Sequence, residues 1–205
     1  MVEQQMLTRD IRDEDVLAAM RTVPRHLFVP GVSLVEAYGD HPVPIGEGQT
    51  ISQPYIVASM TQELKLDRDA TVLEIGTGCG YQTAVLAEIV KHVYSIEFLP
   101  ELHDEARQRL SRMGYRNVSI KCDDGSLGWT EHAPFDGIIV TAAAPRIPET
   151  LIEQLADDGR MVIPISRGSD FQQELWRLTK TPEGLERHSL YSVRFVSMRG
   201  RISHQ

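Results

Sequence analysis

The feature that most restricts the possible folds of this chain is an apolar run broken by three alternate glycines, VLEIGTGCGYQTAVLA, residues 72–87. TVLEI (71–75) predicts a short buried strand, and GYQTAVLAEIVKH (80–92) predicts a helix. A strand that passes through glycines straight into a helix is the opening unit of an open α/β sheet. In such sheets ligands sit at the carboxyl ends of the strands, near the switch in strand order.

The alternation continues downstream. VYSIE predicts a second strand, and PELHDEARQRLSRMG a helix that begins with proline and ends with glycine. NVSIKC and FDGIIVTAA are the third and fourth strands, PETLIEQLADDG a helix, and RMVIPI the fifth strand. Elements of this length imply a doubly wound, mostly parallel sheet with helices on both faces. FQQELWRLTKTPEGLERHSLYSVRFVSM (171–198) reads as two strands around a Pro-Glu-Gly turn, an antiparallel finish to the sheet. Trp176 and Tyr191 fall on these strands, and Trp129 covers either the pocket or the core. Upstream, RDEDVLAAMRTVP (12–24) predicts an amphipathic helix with an acidic start, a proline stop and Leu17, Met20 and Val23 on one face. AYGDHPVPIGEGQTISQPY (37–55) is too long for a simple connection, and long ordered loops often carry function. The 205 residues suit one domain, with an N-terminal helix and a substrate and cofactor loop over 1–55 and a Rossmann-like core over 56–205.

A dinucleotide loop reads GxGxxG. Here Gly76, Gly78 and Gly80 give GxGxG, and Tyr81 stands where the third glycine belongs. Glu74, at the mouth of the first strand, would repel a pyrophosphate but attract a cation. S-adenosylmethionine, with a sulfonium, an amine and one carboxylate, meets that demand. Glu97 closes the second strand about 20 residues beyond the loop, where a carboxylate takes both ribose hydroxyls. Asp124, after the third strand, is placed for the adenine amino group. Each feature has a plain alternative: a tight turn, a solvated strand end, a turn residue before Gly125. Their joint position at the ends of successive strands favours the cofactor.

The fourth strand ends in Thr141 and three alanines, which offer space and backbone groups but no side-chain base. That suits an acceptor already ionised at neutral pH, such as a carboxylate with a pKa near ~4. Transfer then needs mainly alignment and dehydration.

Four stretches, PIGEGQTISQPYIVASMTQEL, VLEIGTGCGYQTAVLAEIV, APFDGIIVTAAAPRIPETLIEQL and VRFVSMRG, together resemble the protein-L-isoaspartate O-methyltransferase family of repair enzymes. The likeness runs from about Val16 to Met198, and GQTISQPY is its most specific part. The resemblance implies a seven-stranded methyltransferase sheet with an antiparallel C-terminal strand. It also implies methyl transfer from S-adenosylmethionine to the free carboxylate of isoaspartyl residues in damaged proteins or peptides, followed by ring closure to a succinimide. Carried over by position, the active-site serine is Ser52. Gln49, Thr50 and Ser52 line the pocket, and Glu74, Gly76, Thr77, Gly78 and Gly80 hold the methionine end. Glu97 with Phe98 serves the ribose, and Asp124 with Gly125 the adenine. Ser52 alone also reads as an N-cap for the helix after it. Three positions depart from the family pattern: Asp123 for the first glycine of GDG, Ser197 for the proline of VRFVP, and Cys79 for a serine or other small residue.

The charge balance, 21 Lys and Arg against 29 Asp and Glu for a net −8, argues against a nucleic-acid surface. Seven scattered histidines lack metal-ligand spacing, so no metal is expected. No run approaches the ~18 apolar residues of a membrane span, and the N-terminus lacks the features of a signal peptide. Cys79 and Cys122 read as reduced thiols of a cytoplasmic protein, expected to be a monomer. Three alternatives stay open: a methyltransferase of the same fold with a small-molecule or nucleic-acid acceptor, a nicotinamide-dependent oxidoreductase, and a non-catalytic cofactor-binding protein.

Overall fold

The expected first helix forms as α1, Glu14–Thr22, in this computed structural model, which describes residues 1–167 and 172–204. Asp13 caps it by accepting the Val16 N–H at 3.0 Å, and Leu17, Met20 and Val23 are all buried. After the short helix α2, Leu34–Ala37, the polar 37–55 segment is more ordered than a loop. It folds into an antiparallel hairpin of β1, Val43–Gly46, and β2, Gln49–Ile51. Helix α3, Pro54–Leu64, follows with proline in its first turn.

The glycine-loop strand is β3, Thr71–Ile75, and it becomes the axis of the sheet. Then come α4, Tyr81–Ala87; β4, His92–Glu97; α5, Pro100–Arg112; β5, Val118–Cys122; and β6, Phe135–Val140. Helix α6, Glu149–Glu153, leads into β7, Leu155–Ser166, and the chain ends with β8, Gln173–Thr181, and β9, Gly184–Val193. The sheet order is β5-β4-β3-β6-β7-β8-β9, parallel from β5 to β7. β8 is antiparallel to both its neighbours, so it is the one reversed strand. The β8–β9 pair turns around Pro182 as expected; Phe171, where the sequence would start it, lies outside the described residues. Strand order reverses between β3 and β6, which places the crevice for a ligand at their carboxyl ends.

Both faces of the sheet are covered, which is why Val72, Leu73 and Ile75 in β3 and every residue of α4 are buried. The N-terminal extension packs over α3 and α4, so Met6, Met20 and Phe28 join their core. α5 buries only Leu102, Ala106 and Leu110, one face of an amphipathic helix. Two predicted helices are shorter in the structure. The 80–92 helix stops at Ala87, where Asn117 Nδ2 donates to the Ala87 and Val90 carbonyls. The 148–159 helix stops at Glu153 because Phe135 N–H takes the Gln154 carbonyl at 2.9 Å and draws the chain into β7. Trp129 covers the core: it meets Tyr94 edge-on at 5.4 Å and is absent from the ligand cleft described next.

Candidate active site

The three glycines adopt φ of +97°, +55° and +89° at Gly76, Gly78 and Gly80, conformations that L side chains rarely take. Space is tight at all three, a Cβ on Gly80 meeting Leu110 Cδ1 at 3.1 Å. A Cβ on Gly76 would overlap Thr141 Oγ1, and one on Gly78 would press on Ile45 Cδ1 at 3.3 Å. The loop is held from several sides. Thr141 Oγ1 lies 3.0 Å from the Ile75 carbonyl and 2.7 Å from that of Gly76, and Arg109 Nη1 donates to the Cys79 carbonyl at 2.8 Å. Glu97 closes the other side: its carboxylate accepts Gly78 N–H at 2.8 Å and Leu99 N–H at 3.0 Å. Two backbone donors thus fix both carboxylate oxygens of a residue that is itself buried.

Above the loop lies a cleft with about 920 Å³ of empty space, its open mouth included. Of the residues named from sequence, Gln49, Thr50, Ser52, Gly76, Thr77, Gly78, Glu97, Phe98 and Gly125 line it. Ile96, Leu99 and Leu102 add apolar wall beside Glu97 and Phe98.

Glu74, Gly80 and Asp124 do not line the cleft. The expectation of an acid-lined pocket is therefore corrected at Glu74. Its side chain is completely buried behind the loop, and its Oε2 accepts Thr83 Oγ1 at 2.5 Å and Ser95 Oγ at 2.6 Å. Ser95 Oγ also meets Thr77 Oγ1 at 2.6 Å, so one polar chain connects the cleft wall to Glu74. Burial pushes the Glu74 pKa up to about 8, against the pull of the Ser95 and Thr83 hydroxyls. At neutral pH the group is mostly protonated rather than a standing anion. Oε1 is buried without a partner. A carboxyl whose pKa rises on folding stabilises the protein at low pH and loses that contribution as pH climbs from about 4.5 through about 8. Wild-type melting temperature should therefore fall more steeply between about pH 5 and 8 than that of Glu74→Gln, whose amide cannot ionise. Parallel melting curves for the two proteins would exclude this.

Asp124 works inward. Its Oδ1 accepts Ser126 N–H and Oγ at 3.0 and 2.7 Å, and its Oδ2 accepts Arg201 N–H at 2.7 Å. It caps the turn that carries Gly125 into the cleft wall and ties down the C-terminal tail. Its neighbour Asp123 turns outward to Lys121 at 2.7 Å.

Ser52 is not the cap of α3; Gln53 holds that position and makes no side-chain capping bond. The Ser52 hydroxyl has no hydrogen-bond partner among the described residues. The residue stands where the cleft meets a smaller hollow lined by Pro42, Gln53, Ile56, Arg194 and Phe195, and Thr50, Thr141 and Val196 are likewise common to both. Thr141 commits its one hydroxyl proton to the Ile75 and Gly76 carbonyls, so it has none to donate to an acceptor. Cys79 lies in the wall with its thiol pKa raised by burial, the opposite of an activated thiolate.

Two parts of the wall were not found from sequence. Ile45 reaches it because residues 43–51 fold as a hairpin over the glycine loop. Residues 196–199 reach it because Ala143 N–H donates to the Val196 carbonyl and Met198 N–H to the Ala143 carbonyl, both at 2.8 Å. Neither bond uses the N–H of residue 197, so the strap holds with serine in place of proline. Only the mixed glycine, proline and polar composition of 37–55 hinted at the first.

Residues 1–203 match the model of the family described as protein-L-isoaspartate(D-aspartate) O-methyltransferase (PCMT). The chain is 52% identical over 201 residues to protein-L-isoaspartate O-methyltransferase 1 of Syntrophobacter fumaroxidans, covering 98% of this chain and 93% of the relative. A solved protein-L-isoaspartate O-methyltransferase superimposes with a TM-score of 0.86 at 30% identity over 93% of this chain, which spans 62% of that longer protein. A Plasmodium falciparum structure described as the same kind of enzyme, in complex with S-adenosyl-L-homocysteine, gives 0.81 at 27% identity and 92% coverage of both chains.

Proposed function

The chain belongs to the protein-L-isoaspartate(D-aspartate) O-methyltransferase family, and from that premise we propose which of its residues carry out the transfer. The enzyme methylates the free carboxylate of L-isoaspartyl residues in damaged proteins or peptides, using S-adenosylmethionine. The ester then closes to a succinimide that reopens partly to normal aspartate.

The observation that carries the residue assignment is the arrangement around Gly78. A backbone cradle, a fixed carboxylate and an apolar slot meet in one cleft, and a serine hydroxyl lies free at its edge. When bound, S-adenosylmethionine supplies a methyl group on positively charged sulfur. Backbone groups of residues 76–80 hold its amino-acid end. Glu97, already immobilised by two N–H donors, offers its remaining lone pairs to the ribose hydroxyls. Phe98, Leu99, Leu102 and Gly125, the last steadied by Asp124, enclose the adenine. Gln49 and Thr50 complete the wall on the hairpin side.

At the junction of the two hollows, the Ser52 hydroxyl donates to the acceptor carboxylate and orients one oxygen for in-line attack. It is not a nucleophile, and no base is needed, because the acceptor is ionised. Water is kept out by the β1–β2 hairpin on one side and the 196–199 strap on the other. Arg199 Nη2 comes within 3.5 Å of the Glu47 carbonyl in the hairpin turn. Adding S-adenosylhomocysteine should then protect the 43–51 hairpin from limited proteolysis; cleavage at an unchanged rate would count against closure.

Radiolabelled methyl transfer to paired peptides tests the reaction. Label should enter the isoaspartyl peptide as a base-labile ester and leave the aspartyl twin almost unlabelled. Equal labelling of both, or of neither, would remove the assignment. As to partners, the reading is a monomer acting on peptide chains in the cytoplasm, without metal or nucleic acid. Its support is the net charge of −8, which disfavours a nucleic-acid surface, and two free thiols.

A further inference from the structure

Arg25 follows α1 in a single 3-10 turn and is completely buried. Its Nε donates to the Ala37 carbonyl at 2.8 Å and its Nη2 to the Ser52 carbonyl at 2.7 Å. The guanidinium lies 4.9 Å from the centroid of the Tyr81 ring, and Tyr81 is both the first residue of α4 and part of the cleft wall. Nη1 is buried without a partner, and no carboxylate pairs with the side chain among the described residues.

This is an expensive way to pack a core. Removing a guanidinium from water without an anion costs several kcal/mol, and apolar side chains of similar size often replace buried charges at no loss of stability. The two carbonyls and one ring face satisfy Arg25 only in part, and two of the three contacts, Ser52 and Tyr81, belong to the cleft wall. Ser52 is 27 residues away in sequence, and this bond reaches from the turn after α1 to the backbone of that serine.

We propose that Arg25 is the positioning residue of the acceptor site: it holds the Ser52 carbonyl so that the hydroxyl faces the acceptor hollow, and its unpaired charge favours an anion there. The proposal rests on the reading of Ser52 as the group that binds the acceptor carboxylate. The charge has the sign the acceptor needs, and in a poorly solvated site it acts over a longer range than in water. A neutral acceptor would gain nothing from it. A cationic one would be repelled.

The test uses the full chain and compares wild type, Arg25→Met, Arg25→Lys, Ser52→Ala and the Arg25→Met/Ser52→Ala double variant. Measured for each are melting temperature, S-adenosylhomocysteine affinity, and kcat and KM for an isoaspartyl peptide. Arg25→Met should raise the peptide KM by about 10-fold and lower kcat/KM by about 100-fold, while product-cofactor affinity moves by less than ~2-fold. Arg25→Lys, which keeps the charge and loses the fork, should recover part of the KM. In the Ser52→Ala background Arg25→Met should cost about 10-fold instead of about 100-fold, since the hydroxyl it orients is gone while the effect of its charge on the acceptor remains. Loss of cofactor affinity in step with turnover, or full additivity in the double variant, would reduce Arg25 to a structural clamp and overturn the proposal. Should Arg25→Met fail to fold, the same cycle with Arg25→Lys decides. Normal turnover in Ser52→Ala would instead sink the underlying reading of Ser52, and the proposal with it.

Discussion

Glu97→Ala should bind S-adenosylhomocysteine about 100-fold more weakly than wild type, a loss of ~2.7 kcal/mol. The carboxylate has two duties. It accepts the N–H groups of Gly78 and Leu99, and it is the acceptor assigned to the ribose. Deleting it leaves two backbone donors without a partner in a buried place, each costing ~1–3 kcal/mol, and the ribose hydroxyls lose an ionised acceptor. Part of the first cost falls on stability, because the glycine loop and the start of the β4–α5 connection are then no longer joined. Glu97→Gln should recover only a fraction, since its amide nitrogen must face one of the two N–H donors. Calorimetry with S-adenosylhomocysteine separates these effects. At saturating cofactor, kcat should stay within ~5-fold of wild type, because Glu97 does not touch the acceptor. An affinity loss below ~3-fold would mean that the ribose is held elsewhere.

Ser52→Ala should lower kcat/KM for an isoaspartyl peptide by about 100-fold and leave S-adenosylhomocysteine affinity unchanged. The structure makes this separable from a stability effect. Were Ser52 the cap of α3, its loss would cost ~1 kcal/mol and lower the melting temperature by several degrees. With Gln53 in the cap position and the Ser52 hydroxyl unengaged, melting should hardly change. The pH–rate profile should also keep its shape, because the acceptor carboxylate is ionised with or without the serine. Equal losses in cofactor affinity and turnover, or a large drop in melting temperature, would contradict the assignment.

Much of this site was legible in the sequence because it is assembled from loops at the ends of consecutive strands. Gly76, Gly78, Glu97 and Gly125 each follow a strand recognisable by its own apolar run, and the sheet rule brings those ends together. Nine of the twelve residues named from sequence line the cleft. Glu74 was misjudged for a definite reason. It lies within its strand, one residue before the end, so the pleat turns it toward Thr83 and Ser95 and away from the ligand. Asp124 accepts from the N–H of Arg201, 77 residues on, a contact that no local pattern shows.

Local periodicity therefore determined the order of strands and helices, the glycine loop between β3 and α4, and the positions of the carboxylates at the strand ends. These follow from propensities and spacings within a few neighbouring residues. Tertiary structure alone decided that 43–51 folds as a hairpin over the loop, that Gln154 ends its helix early, and that Glu74 is buried. It alone placed Arg25 behind Ser52. Each of these depends on a partner distant in the chain, and the burial and desolvation that such a partner imposes leave no trace in local pattern.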